Sequence, residues 1–238
     1  MFQTFRVKNV LVPEKRELFL SILCWIMFEA GFALLLMPFF DLEEASGGYW
    51  FQIANFCASF ILTVLCFMPF LKKSIEKTAR KGFEGSLFMG YGIEFVLMFI
   101  VGAIIFVLDI VFRQPNINVN QQIVTQMLHQ KSVPMILCTV VLAPITEECL
   151  VRGVLFAPLC RYKPWLAYIV SAGAFALLHV MVSVGTASAV SLIEDFLSYL
   201  PSGIALGWIY QRTGTIIGPI ALHSLSNLFS VITILWAF

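Results

Sequence analysis

The stretch VPMILCTVVLAPITEECLVRGVLFAPLC, residues 133–160, decides how this chain must fold. It is longer than the roughly 20 mostly apolar residues that a helix needs to cross about 30 Å of hydrocarbon. Its middle nevertheless holds two adjacent acids, Glu147 and Glu148, and a base, Arg152. An ionisable group at bilayer depth costs roughly 2.5–3.5 kcal/mol on insertion scales, so polar residues kept there usually mark a site. The stretch reads as a membrane-spanning helix that carries part of a reaction centre. Pro144 and Pro158 interrupt its hydrogen bonding, which predicts a kinked or composite helix.

Working outward, six more apolar runs of spanning length lie at 18–40, 50–71, 87–112, 165–184, 187–210 and 216–238. Hydrophobic residues make up 60% of the 238 and charged residues 12%, with a mean hydropathy of +0.90. A soluble domain usually carries about 25% charged residues, so that class is excluded. The expected fold is an all-α integral membrane bundle of about seven transmembrane helices (six to eight), enclosing a buried polar active-site cavity. A short or re-entrant helix is allowed for in the 114–132 connection.

The basic residues fix an orientation. Arg6, Lys8, Lys15 and Arg16 come at or before the start of the first run, and Lys72, Lys73, Lys77, Arg80 and Lys81 fill the second connection. Arg161, Lys163 and Arg212 occupy the fourth and sixth, so twelve of the fifteen Lys and Arg fall on one side. The alternate connections hold Arg113 and Lys131, and the first of them is acidic, with Asp41, Glu43 and Glu44. Cytoplasmic loops carry the excess of Lys and Arg, which places the N-terminus inside and the C-terminus outside. The first run is too long for a signal peptide and lacks a small-residue cleavage site, so it reads as an anchor. Cys24, Cys57, Cys66, Cys138, Cys149 and Cys160 all fall in spans at no ligand-like spacing, which points to packing rather than disulfides.

Within the spans, Glu148 and Arg152 stand at i and i+4, the better orientation for an acid–base pair on one helix face. Glu147 points about 100° away and is left free, which suits a general base. The bland alternative is that all three only lock helices together. His179 follows Phe175 by four residues, and Asn227 follows His223 by four, so each pair shares a face. Alone, either histidine reads equally well as an interhelical contact. Depth separates the readings. At 1.5 Å per residue, Glu147 lies about 21 Å from Arg161, His179 about 21 Å from Trp165, and His223 and Asn227 about 15 and 21 Å from Thr213. Three helices bring polar groups to similar depth, which predicts one shared cavity. Glu29, Glu94, Asp109, Glu194 and Asp195 are further acids within spans. Glu29 and Glu94 are expected to pair with neighbouring helices, and Glu194 and Asp195 to line a polar path or lie near an outer loop.

The patterns E-E-x-x-x-R (Glu147, Glu148, Arg152), F-x-x-x-H (Phe175, His179) and H-x-x-x-N (His223, Asn227) resemble, in order, the motifs of the CPBP family, the CAAX proteases and bacteriocin-processing enzymes also called Abi. The resemblance covers 133–238 as the catalytic helical core, with 1–132 contributing N-terminal helices to the same membrane domain. It implies an intramembrane endopeptidase related to the CAAX prenyl protease. Glu147 would be the principal catalytic acid, activating water with His179. His223 and Asn227 would stabilise the oxyanion or complete the water site, while Glu148, Arg152 and Phe175 shape it. A metal-free mechanism is preferred. Zinc is the alternative cofactor, with Glu147, His179 and His223 as ligands and one open position, although no H-E-x-x-H helix presets that geometry.

The compact chain with short loops points to a bacterial plasma membrane. The expected substrate is a membrane-associated or lipidated peptide or precursor, such as a pheromone, a bacteriocin leader or a CAAX-type C-terminus, cut near the cytoplasmic leaflet. The bilayer is the partner, a regulatory membrane protein is a further candidate, and no nucleic acid is expected. Two other classes stay open. One is a non-proteolytic scaffold that regulates a sensor kinase or confers bacteriocin immunity. The other is a small-solute transporter, which lacks the expected inverted repeat.

Overall fold

A computed structural model describes residues 10–79, 82–113 and 118–236. Arg6, Lys8, Arg80 and Lys81, which entered the charge argument, and the last two residues of the seventh run lie outside them. Among the described residues seven helices are long and apolar enough to span a membrane: α1 (Lys15–Phe39), α2 (Ala45–Lys77), α3 (Phe83–Phe112), α5 (Ser132–Tyr162), α6 (Pro164–Ser183), α7 (Ala189–Thr213) and α8 (Ile217–Trp236). The short α4 (Val119–Gln130) occupies the connection where a short helix was allowed for, and Asn118 caps it by accepting from the Gln121 N–H. The chain is a multi-pass, all-α membrane protein.

The two prolines of α5 do not break it. Ala143 N–H reaches back five residues to the Cys138 carbonyl, and Ala157 N–H five residues to that of Arg152, so wide π-type turns absorb each interruption. The first turn has a consequence for the site. The Thr139 carbonyl loses Ala143 as a donor, and the residue five on is Pro144, which has no N–H. That carbonyl is left to be satisfied from another helix.

Small residues set the helix spacing. A Cβ on Gly203 of α7 would stand 2.8 Å from Ala172 Cα, so α6 and α7 approach to backbone contact there. The most apolar span, α3, buries only Ser86, Gly90 and Glu94 among its described residues, a stripe at four-residue spacing, with Leu87, Tyr91 and Ile93 half-buried against the bundle beside it.

The two ends of the bundle differ. Toward the basic connections the core is solid, with Phe67 and Phe70 of α2, Cys149, Leu150 and Phe156 of α5 and Tyr210 of α7 buried together. Phe156 meets the rings of Tyr168 and Tyr210 at centroid distances of 5.2 and 5.8 Å. The segment before α1 closes this end: Leu11 N–H donates to Gly214 O at 2.8 Å, Tyr210 Oη–H to Leu11 O at 2.7 Å and Arg161 to Val10 O at 3.1 Å. At the opposite end α4 roofs the bundle. Its Met127 and Leu128 pack on Tyr49, Met135, Val231 and Ile234, while its first turns stand over a cavity.

Candidate active site

Glu147, His179 and His223 meet beneath that cavity. Glu147 Oε2 lies 3.7 Å from His179 Nε2 and 3.9 Å from His223 Nε2. Among the described residues no protein group donates a hydrogen bond to this oxygen, although it is buried. Asn227 lines the same cavity, so the geometry brings together all four residues placed at common depth by counting.

Glu148, next in sequence, has the opposite environment. Its carboxylate is fully buried, and Oε1 accepts from Arg152 Nη1 at 3.1 Å and from His223 Nδ1 at 3.1 Å. Arg152 is itself fully buried, donates through Nη2 to the Gly203 carbonyl at 3.0 Å and holds its guanidinium 4.5 Å above the Phe175 ring. Burying such a pair costs desolvation, which the Coulomb attraction offsets only when the remaining valences are also met. Here the histidine, the glycine carbonyl and the aromatic face supply part of them, while Glu148 Oε2 and Arg152 Nε have no hydrogen-bond partner among the described residues. Phe175 also stands 4.5 Å from the His179 ring and 5.4 Å from that of His223, which spaces the two imidazoles.

Partner chemistry fixes the imidazole protons. The Phe175 carbonyl only accepts, so His179 Nδ1–H donates to it at 2.8 Å and Nε2 keeps its lone pair toward Glu147. His223 Nδ1–H donates to Glu148, which leaves its Nε2 facing Glu147 as well. Tyr199 stacks on His179 at 4.3 Å, and its hydroxyl is tethered to Asn120 (3.0 Å) and Asn118 (3.2 Å) at the start of α4. Asn227 Nδ2 donates at 2.8 Å to the Thr139 carbonyl, the group that Pro144 left without a helix donor. The amide therefore holds α8 to the wide turn of α5.

Sequence reasoning singled out neither Tyr199, Gly203 nor the Thr139 carbonyl as part of the site. Pro144 was the only signal for the last. Glu94 is bonded as expected, accepting from Ser202 and Ser226 of α7 and α8 at 2.6 Å each. Glu29 departs from expectation: it is exposed on the outer face of α1, with no polar partner found among the described residues. Glu194 and Asp195 are buried within α7, which starts early enough to enclose both, and Ser183 donates to Asp195 at 3.3 Å. They do not line the cavity. All six cysteines are free.

The cavity holds about 260 Å³, with Glu147, Ala143 and His223 at its buried floor and amide and hydroxyl side chains above. Two imidazoles and a carboxylate are ligand types that zinc accepts, and the Phe175 carbonyl and Glu148 on Nδ1 are outer-shell partners of the kind such ligands use, but among the described residues no three such groups are placed together to hold a metal ion. Two of these acceptors, Glu147 Oε2 and His179 Nε2, equally suit a water that donates one hydrogen to each.

Residues 129–229 match the model of the type II CAAX prenyl endopeptidase Rce1-like family. UPF0177 protein YaiF of Lactococcus lactis subsp. lactis is 26% identical over 174 residues, which is 70% of this chain and 73% of that protein. No solved structure matches the chain significantly.

Proposed function

We propose that this chain, whose residues 129–229 match the Rce1-like family model, is an intramembrane endopeptidase acting on membrane-associated peptides or precursors. The observation that carries the proposal is the convergence of Glu147 Oε2 with the Nε2 atoms of His179 and His223, 3.7 and 3.9 Å away, at the edge of the cavity. A water held between Glu147 and His179 gives a proton to Glu147 as its oxygen attacks the scissile carbonyl carbon. The carbonyl oxygen becomes the oxyanion of a tetrahedral intermediate. The C–N bond then breaks as that proton passes to the leaving nitrogen, releasing a carboxylic acid and an amine, between which the remaining water proton equilibrates.

The two histidines divide the work. His179, with a carbonyl on Nδ1, stays neutral and accepts from water through Nε2. For His223 to donate to the oxyanion it must carry both protons, with Glu148 and Glu147 as counter-charges on either side. The second Nδ2 hydrogen of Asn227 adds a donor without adding a charge. Glu148 and Arg152 position His223 and take no proton. In this reading the reaction needs no metal. Zinc, if bound, would take Glu147, His179 and His223 and polarise the water.

The test is cleavage of membrane-anchored reporter peptides by purified protein, comparing wild type with Glu147→Gln and His179→Gln. Abolished cleavage with unchanged folding supports the protease. A Glu147→Gln protein that keeps its full cellular phenotype would instead establish a scaffold. Loss of activity in a chelator, restored by zinc, would replace the metal-free mechanism.

A further inference from the structure

The proposed cleavage site is reached from one end of the bundle, and that end is not the basic one. Behind Glu147, toward the basic connections, Glu148, Arg152, Leu150, Phe156 and Tyr210 are fully buried and leave no passage among the described residues. In the other direction the cavity widens between α2, α7, α8 and the first turns of α4. Burial falls along the same line: Glu147 and His223 are 9% and 6% exposed, Asn55, Asn120 and Asn227 are half-buried, and Gln121 on α4 is exposed. The mouth is therefore at α4. The opposite end gathers Lys72, Lys73, Lys77, Arg161, Lys163 and Arg212, and its surfaces are joined by the Lys73–Glu14 and Thr78–Thr215 contacts.

The cavity lining also states what it accepts. Apart from Glu147, the two histidines and Tyr199, it has no ionisable side chain among the described residues. Its upper wall is built from Gln52, Asn55, Asn120 and Gln121, whose amides both donate and accept. These match the N–H and C=O groups of an extended peptide. Among the described residues no Lys or Arg lines the cavity to hold a terminal carboxylate.

Cytoplasmic ends of spans carry the Lys and Arg excess. From this we infer that the substrate reaches Glu147 from the extracytoplasmic side, as an internal, uncharged, extended segment of a surface-exposed or exported membrane peptide that passes beneath α4. This rests on the protease reading and moves the reaction away from the cytoplasmic leaflet, where the sequence alone had placed it.

Two measurements test it. Gln121→Cys and Asn55→Cys, with Lys163→Cys as the opposite-end control, are exposed to a charged, membrane-impermeant thiol reagent in intact cells and in inside-out vesicles, against the unmodified protein as background. The expected result is labelling of the first two in intact cells and of Lys163→Cys only in inside-out vesicles. The reverse pattern overturns the assignment of side. Purified protein is then given one membrane peptide with a free or an amidated C-terminus. Cleavage rates within about two-fold are expected, and cleavage that requires the free carboxylate overturns the internal-segment assignment. Labelling does not depend on catalysis. External labelling without cleavage of either peptide defeats the protease reading and leaves the orientation standing, and cleavage without external labelling does the converse.

Discussion

The basic half of the bundle and the half roofed by α4 are built from the same seven spans, yet behind Glu147 the core is packed, with the 420 Å³ recess of that end lined by Val10, Lys77, Arg161 and Thr213 and by none of the site residues, while beneath α4 it is hollow. Side-chain size and polarity make the difference. Phe67, Phe70, Phe156 and Tyr210 interlock at the basic end and exclude space. Gln52, Asn55, Ser59, Thr139 and Ser230 face one another at the other, where polar groups need partners that a tightly packed wall would not supply. Glu147 and Glu148 straddle the boundary. One carboxylate is locked in the solid half by Arg152 and the other faces the cavity, so adjacent residues of the same type do different work.

The sharpest way to break this contrast is to neutralise each acid in turn. Glu147→Gln should lower cleavage by about 10²–10⁴-fold, the usual contribution of a positioned acid–base group, with the thermal unfolding midpoint in detergent unchanged. If it instead unfolds the protein, Glu147 belongs to the packed half. Arg152→Met should act on stability first. It strands Glu148 as a buried charge, at a cost of about 3–5 kcal/mol, and the double variant Glu148→Gln/Arg152→Met should recover part of the loss without restoring activity. A double variant no more stable than the single one would refute the pairing.

Smaller effects probe how the hollow half is held open. Asn227→Ala removes the donor to the Thr139 carbonyl, for which a loss of about 1–3 kcal/mol is expected, together with lower kcat. A drop in kcat at unchanged stability would show that the amide serves only the reaction. Tyr199→Phe keeps the ring on His179 but releases Asn118 and Asn120. About 0.5–1.5 kcal/mol should be lost, read as faster hydrogen exchange confined to 119–130. Exchange that also rises over α6 would mean that the tyrosine holds the histidine through its hydroxyl.

Much of the fold was legible because membrane spans announce themselves locally. Length and apolarity located all seven, and boundaries differ from those read off the sequence by six residues or fewer at each described end. The site was legible in part for a related reason: Glu147, His179 and Asn227 are costly residues in hydrocarbon, and a straight helix converts residue number to depth. The rest escaped because it depends on neighbours. Nothing in the local sequence marks Tyr199 as the platform beneath His179, since tyrosine is common near membrane interfaces. Gly203 earns its place only because Ala172 and Arg152 approach it from other helices. Glu29 and Glu94 looked alike in sequence, and only the packing of α3 against α7 and α8 gave Glu94 its two serines.

The sequence by itself determined that this chain has seven stretches long and apolar enough to span a membrane and sets an acid and two imidazoles at similar depth along them. Hydrophobicity and helical rise are properties of single segments, and they suffice for that. Tertiary structure alone decided which carboxylate is free, which nitrogen of each histidine faces it and where the cavity opens. Those outcomes turn on distances between helices of a few ångströms, set by the packing of Gly203, Phe156 and the wide turn at Thr139.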